Sequence, residues 1–159
     1  MKLSTRAIYG LRALIDLGLY SETEAVSIQS IANRQGISVG YLEQLMALLK
    51  KAGLVKSIRG ACGGYRLGKP AAEVSVGDIL RVLEGSLEAV VCPGNEGEGR
   101  CNGSESCVAK AVWKRINDGI TDAVDTMMLD ELVEENRRVQ RKNESSGEPG
   151  QIPDCRKSL

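Results

Sequence analysis

Apolar side chains recur at helical spacing almost from the first residue. Ala7, Leu11, Leu14, Ile15 and Leu19 lie three or four positions apart behind Ser4 or Thr5 as a cap, which predicts a helix over residues 4–20. The polar run Ser21-Glu22-Thr23-Glu24 ends it. Ser27 then caps a short helix over 28–35 whose inner face is Ile28, Ile31 and Ala32. Gly36 permits a left-handed turn residue and Ile37 anchors the turn. Ser38 caps a further helix over 39–52, with Leu42, Leu45, Leu48 and Leu49 expected to face inward. The pattern next changes to strand character in Leu54-Val55-Lys56-Ser57-Ile58. A glycine-rich turn, Arg59-Gly60-Ala61-Cys62-Gly63-Gly64, leads to a return strand at Tyr65-Arg66-Leu67. Two helices around a tight glycine turn, followed by a hairpin, have the spacing of a winged helix-turn-helix.

Beyond residue 70 the pattern returns to helix. Ser75 and Asp78 form a helix-start capping box with Asp in place of the usual Glu, and Ile79, Leu80, Val82 and Leu83 follow before Gly85 stops the element. After a polar interval, Val108, Val112, Trp113, Ile116, Ile120, Ala123, Val124 and Met127 run down one face of a long helix. Such a stripe needs covering. A second copy packed antiparallel is the expected cover, and folding back onto its own head is the alternative. A short last helix is expected over 129–138. The fold class is therefore mainly α with a small β-hairpin. The expected division is a winged helix-turn-helix head over 1–70, a linker helix over 71–91, a cysteine loop over 92–107, dimerisation helices over 108–139 and a disordered tail over 140–159.

The chain has 159 residues and no net charge, with 21 basic and 21 acidic side chains. That balance hides a division, because residues 1–70 carry ten Lys or Arg against four Asp or Glu, and the remainder eleven against seventeen. A basic front half is an electrostatic footprint for nucleic acid, and with the helix-turn-helix spacing it makes duplex operator DNA the expected partner of a homodimer. No run is long enough to cross a bilayer and no basic-then-apolar leader is present, so a soluble, cytoplasmic protein with no membrane partner is expected. Histidine is absent, which excludes Ser-His-Asp and Cys-His catalysis, and the carboxylates are scattered along helix surfaces. An enzyme is not expected.

The remaining chemistry lies in five cysteines, an odd number that does not read as a disulfide framework. Three of them, Cys92, Cys101 and Cys107, fall within sixteen residues that carry no apolar side chain against which a thiol could be buried. A soft metal centre gives such thiols a reason to be ordered. Structural zinc sites favour gaps of two to four residues, shorter than either gap here.

Taken together, the opening Met-Lys-Leu-Ser-Thr-Arg, the helix-turn-helix from Ile28 to Leu45, the wing from Val55 to Gly68, the three cysteines and the helical Ala111-Val112-Trp113 resemble the IscR-type iron–sulfur cluster regulators, a family that includes NsrR-type nitric-oxide sensors. The resemblance covers about residues 1–139. It implies a homodimeric transcription regulator, expected to be a repressor, that senses cluster status, redox state or nitric oxide. The cluster would be held by Cys92, Cys101 and Cys107, with 2Fe–2S expected and 4Fe–4S as the alternative. It also implies that Ser38, Tyr41, Glu43 and Gln44 of the recognition helix contact bases, and that Arg59, beside Gly60, enters the minor groove from the wing.

One departure concerns the fourth ligand, which in the IscR pattern is a histidine three residues after the third cysteine; here that residue is Lys110. Replacements include Glu96, Glu98, Asn102 or Glu105, a carboxylate of the partner subunit, Cys155, or an exogenous molecule. Cys62 reads as a tolerated small residue, with a redox-responsive thiol as the sharper alternative. Two other functions fit part of the pattern: a zinc-stabilised DNA-binding protein with no sensing role, and a cluster carrier.

Overall fold

Helix α1 (Thr5–Tyr20) is the hub of the molecule. The structure is a computed structural model and describes residues 3–91 and 107–145. Ser4 caps α1 by accepting from the Ala7 amide, and Ala7, Ala13, Leu14 and Leu17 are fully buried along it. Two glycines let neighbours come close. A Cβ on Gly10 would lie 2.4 Å from a Leu83 methyl, and one on Gly18 would lie 2.4 Å from a Val133 methyl.

Helices α2 (Ile28–Gln35) and α3 (Val39–Lys51) form the helix-turn-helix, with Ser27 and Ser38 as N-caps. Gly36 closes α2 in the left-handed region at φ 65°, which a side chain would strain. Helix α3 buries Leu42, Leu45, Met46 and Leu49, spaced i, i+3, i+4, i+7. The expected inner position Leu48 is instead 37% exposed, and Met46 takes its place. The apolar run from Leu45 to Leu49 fits two helical phases, and packing on α1 and α2 selects one.

Strands β1 (Val55–Ile58) and β2 (Gly64–Leu67) pair antiparallel with Val55 opposite Leu67 and Ile58 opposite Gly64. The hairpin is tied back to the segment before α2, since Val26 and Tyr65 exchange backbone hydrogen bonds of 2.9 and 2.8 Å. A Cβ on Gly64 would lie 2.3 Å from the Val26 carbonyl oxygen, so this glycine is required for the contact.

Helix α4 (Val76–Glu84) has the reciprocal Ser75–Asp78 capping box. Its Ile79 and Leu83 share one core with Leu14, Leu42, Leu129 and Val133, so residues on both sides of position 70 pack together. Helix α5 (Val108–Thr126) touches this body at its C-terminal end, where Arg81 holds Asp125 through two hydrogen bonds of 2.7 and 2.8 Å. None of its residues is buried.

Helix α6 (Leu129–Ser145) lies on α1 through Leu129 and Val133. It continues well past the expected end at residue 138 and takes in residues 140–145 of the expected tail. Glu134 pairs with Arg137 and Arg138, and Glu135 with Arg138, at helical i, i+3 and i, i+4 spacing. Arg137 also reaches Glu22 at the end of α1, so docking on α1 holds a segment that has little apolar pattern of its own.

Candidate nucleic-acid interface

Helix α3 offers the solvent a stripe complementary to its buried one. Gly40, Glu43, Gln44 and Ala47 recur at i, i+3, i+4, i+7, and all four are exposed. Neither Glu43 nor Gln44 makes a hydrogen bond or ion pair to any described residue, so both side chains face outward uncommitted. Small residues at Gly40 and Ala47 flank them, and no atom lies within 4 Å of a Cβ built on Gly40. Nothing within the fold asks for glycine there, whereas a helix approaching a groove floor profits from the missing bulk. Gly40 and Ala47 were not among the expected site residues. Their signal was the helical register of small exposed positions around Glu43 and Gln44.

Ser38 and Tyr41 sit differently. The Ser38 hydroxyl oxygen accepts from the Tyr41 amide at 3.3 Å as the cap of α3, which leaves its O–H free to donate. The half-buried Tyr41 turns toward α1, its ring edge-on to Tyr9 with centroids 6.2 Å apart, and its hydroxyl donates to Thr5 at 3.4 Å. These contacts tie the start of α3 to α1.

At the tip of the hairpin Arg59 is exposed and makes no ion pair or hydrogen bond to any described residue. Gly60 has φ 131°, and its carbonyl accepts from Gly63 at 3.0 Å to close the turn. Lys50 near the end of α3 donates to Ser57 of β1 at 2.7 Å, which links recognition helix to wing. Arg66, by contrast, is spent on the carbonyls of Ser21 and Glu22 at the end of α1.

The helix-turn-helix is anchored by an ion pair whose acidic member is buried. Asp16 of α1, 3% exposed, accepts from Arg34 of α2 through two bonds of 2.8 and 2.6 Å, and from Gln35 at 3.1 Å. The hydrogen bond to Asp16 raises the Arg34 pKa, and the guanidinium stacks over Tyr20 at 4.3 Å.

Of the three expected metal ligands, Cys92 and Cys101 lie outside the described residues, as do Glu96, Glu98, Asn102, Glu105 and Cys155. Cys107 is exposed at the N-cap of α5, where no side chain caps the helix. The amides of that first turn have no i−4 partner, and a helix N-terminus stabilises negative charge. Lys110 is exposed one turn further on. Among the described residues, no three His, Cys, Asp or Glu side chains form a group able to hold a metal.

Comparison with known proteins identifies this architecture. The Rrf2 family, described as an iron-dependent transcriptional regulator, matches residues 3–135. The chain belongs to the Rrf2 family. It is 42% identical over 133 residues to the HTH-type transcriptional regulator IscR of Pectobacterium carotovorum, covering 84% of this chain and 79% of that one. Among solved structures it is similar to CymR, the global cysteine regulator of B. subtilis, with a TM-score of 0.71 at 39% identity over 84% of this chain and 97% of that one. IscR of T. potens gives a TM-score of 0.70 at 41% identity, over 88% and 91%. The relatives are transcription regulators rather than enzymes, and the winged helix-turn-helix read from the sequence is the fold of this Rrf2 protein. No described helix is long and apolar enough to cross a membrane.

Proposed function

We propose that this Rrf2 protein is a homodimeric repressor that binds duplex operator DNA and whose affinity is set by an iron–sulfur cluster on Cys92, Cys101 and Cys107, with 2Fe–2S as the expected form. The observation that carries the DNA reading is the uncommitted Glu43–Gln44 stripe of α3, flanked by Gly40 and Ala47, on the same unit as the free Arg59. Gln44 can donate and accept in a bidentate pair with adenine, and Glu43 can accept from the cytosine amino group. Arg59 suits a narrow minor groove, and Gly60 lets the wing backbone come close. The further proposed base contacts are Ser38, whose O–H is free to donate, and Tyr41, which also holds the start of α3 against α1.

The dimer reading rests on α5. Val108, Val112, Trp113 and Ile116 are 80, 48, 36 and 40% exposed along one face, which a second copy would cover. The cluster reading rests on the three-cysteine pattern, the exposed Cys107 thiol and the IscR relatives. A bound cluster supplies reversible redox chemistry and reactivity toward oxygen or nitric oxide. Cys107 opens α5, the helix proposed to join the two subunits, so a change of ligation there bears directly on how the two recognition helices are spaced.

The test is a binding titration against duplexes selected from a random pool, using anaerobically prepared protein before and after cluster removal. Visible absorption should accompany iron and sulfide, and operator affinity should change about tenfold or more on removal. Equal affinities would overturn the sensing role. A colourless protein with stoichiometric zinc would replace it with the zinc-stabilised reading.

A further inference from the structure

A cleft of about 490 Å³ lies behind the base of the wing, between β1, β2, the turn that follows β2, the C-terminal end of α1 and the first half of α6. Clefts that hold small molecules measure roughly 300–1,000 Å³. Gly18 and Val133, both buried, meet at its floor. Beside them Ser21 is 5% exposed, and its hydroxyl makes no hydrogen bond to any described residue. Among the described residues no fully buried side-chain oxygen lacks a partner, so this hydroxyl is not sealed in and opens on the cleft.

The charge around the cleft is unbalanced. Lys56, Arg66, Lys69 and Arg137 line it against Glu22 and Asp130. Both acids are engaged elsewhere: Glu22 pairs with Arg137, and Asp130 accepts from the Glu131 amide at 2.9 Å. Arg66 donates to the neutral carbonyls of Ser21 and Glu22, and Lys56 and Lys69 are exposed and bond to no described residue. Lys56 and Arg66 are also cross-strand partners, and like charges directly opposite each other destabilise a hairpin. An anion seated beside them reverses the sign of that interaction. Lys69 is held ready by its backbone. The Gly68 amide donates to the Leu54 carbonyl at 2.9 Å, a Cβ on Gly68 would lie 2.2 Å from the Gly53 carbonyl oxygen, and Pro70 restricts the residue before it to extended backbone. Successive strand residues face opposite ways, so Ser57 meets Lys50 of α3 while Lys56 and Arg66 turn to the cleft.

We propose that this cleft is a binding site for a small organic dianion, a dicarboxylate or a phosphate monoester, that bridges the base of the wing to α1 and α6. Lys56 and Lys69 supply the charge, Ser21 donates its hydroxyl at the floor, and the apolar surface of Val133 receives the carbon skeleton. The site rests on neither the DNA reading nor the cluster reading.

The experiment is isothermal titration of the full-length protein at low ionic strength with succinate and with glycerol 3-phosphate. Succinamide and glycerol serve as their uncharged counterparts. At least one dianion should saturate a single site per chain at about millimolar concentration or below, the range open to so small a ligand. Succinate alone would assign the site to carboxylates, and glycerol 3-phosphate alone to phosphate esters. Lys56→Gln and Lys69→Gln should each weaken binding about tenfold, the scale of one charge-assisted hydrogen bond. Ser21→Ala should weaken it about threefold or more with every charge retained, on the same scale for a neutral hydrogen bond. Arg141→Gln, exposed on α6 outside the cleft, should match wild type, and thermal midpoints check that each variant is folded. Binding that ignores Ser21→Ala and Lys69→Gln would be general attraction of anions and would overturn the site, as would equal binding of the uncharged counterparts. No saturable binding of either dianion would overturn it too. If Lys56→Gln and Lys69→Gln then weakened duplexes of every sequence alike, with a flatter salt dependence, the two lysines would belong to the DNA backbone contact instead.

Discussion

At the scale of single residues, position on α3 separates reading from holding. Gln44 is exposed and uncommitted, so Gln44→Ala should relax sequence preference at one position in each half-site at a cost of about 1–3 kcal/mol. A competition series with every base at that position checks this; a uniform loss across sequences, with a flatter salt dependence, would mark Gln44 as a phosphate contact instead. Arg34 is the opposite kind of residue, since its work is internal. Arg34→Met should cost about 3 kcal/mol, because it leaves the buried Asp16 carboxylate without its charge partner. Chemical denaturation measures that cost, and a value below 1 kcal/mol would show that Gln35 and solvent suffice for Asp16. The caps Ser27 and Ser38 and the turn residue Gly36 were legible in the sequence because their chemistry is local. The Asp16–Arg34 pair was not, since neither residue announces its partner.

At the scale of elements, α1 organises the head through close approach. Gly18→Ala puts a methyl 2.4 Å from a Val133 methyl on a stiff β-branched side chain, and overpacking of this kind costs about 1–3 kcal/mol. A thermal midpoint equal to wild type would mean that α6 shifts freely on α1. The N-terminus of α1 carries a pH dependence. Glu84 at the end of α4 accepts from the Ser4 hydroxyl and, at 2.8 Å, from the Ser4 amide, and these bonds hold its carboxyl below the ordinary value of 4.5. A carboxyl depressed on folding adds stability that is complete above its unfolded pKa and lost as pH falls through the folded one. Glu84→Gln should therefore narrow the stability difference between pH 7 and pH 3, as followed by urea unfolding at both; an unchanged difference would assign the acid sensitivity elsewhere. The run from Leu45 to Leu49 and the length of α6 show why elements are only partly legible. A continuous apolar run carries two helical phases, and a polar helix gains its last turns from salt bridges and from the helix it lies on.

At the scale of the whole molecule, the outward face of α5 is the feature the single chain leaves unfinished. Ile116→Glu places a charge in the middle of that stripe, so sedimentation should find a monomer that binds half-sites poorly and still folds, because none of α5 is buried in the head. A stable Ile116→Glu dimer would move the interface to another surface. The basic excess lies before residue 70 and the acidic excess after it, so the half of the chain that carries the wing and recognition helix is the half whose net charge favours nucleic acid.

Sequence by itself determined the order of elements, the caps and turn of the helix-turn-helix, the wing, and the helical register of the apolar stripe on α5. Each of these depends on residues within a turn or two of one another, where periodicity and capping chemistry decide the conformation. Tertiary structure alone decided which methionine or leucine of α3 faces inward, that α6 runs on to Ser145 along α1, that Tyr41 turns back to Thr5, and that Asn117 takes hold of Ala89 and Val90. Those contacts join residues distant in sequence, 27 positions apart for Asn117 and Val90, and a side chain's choice among several satisfying partners is made only when packing brings one of them within reach.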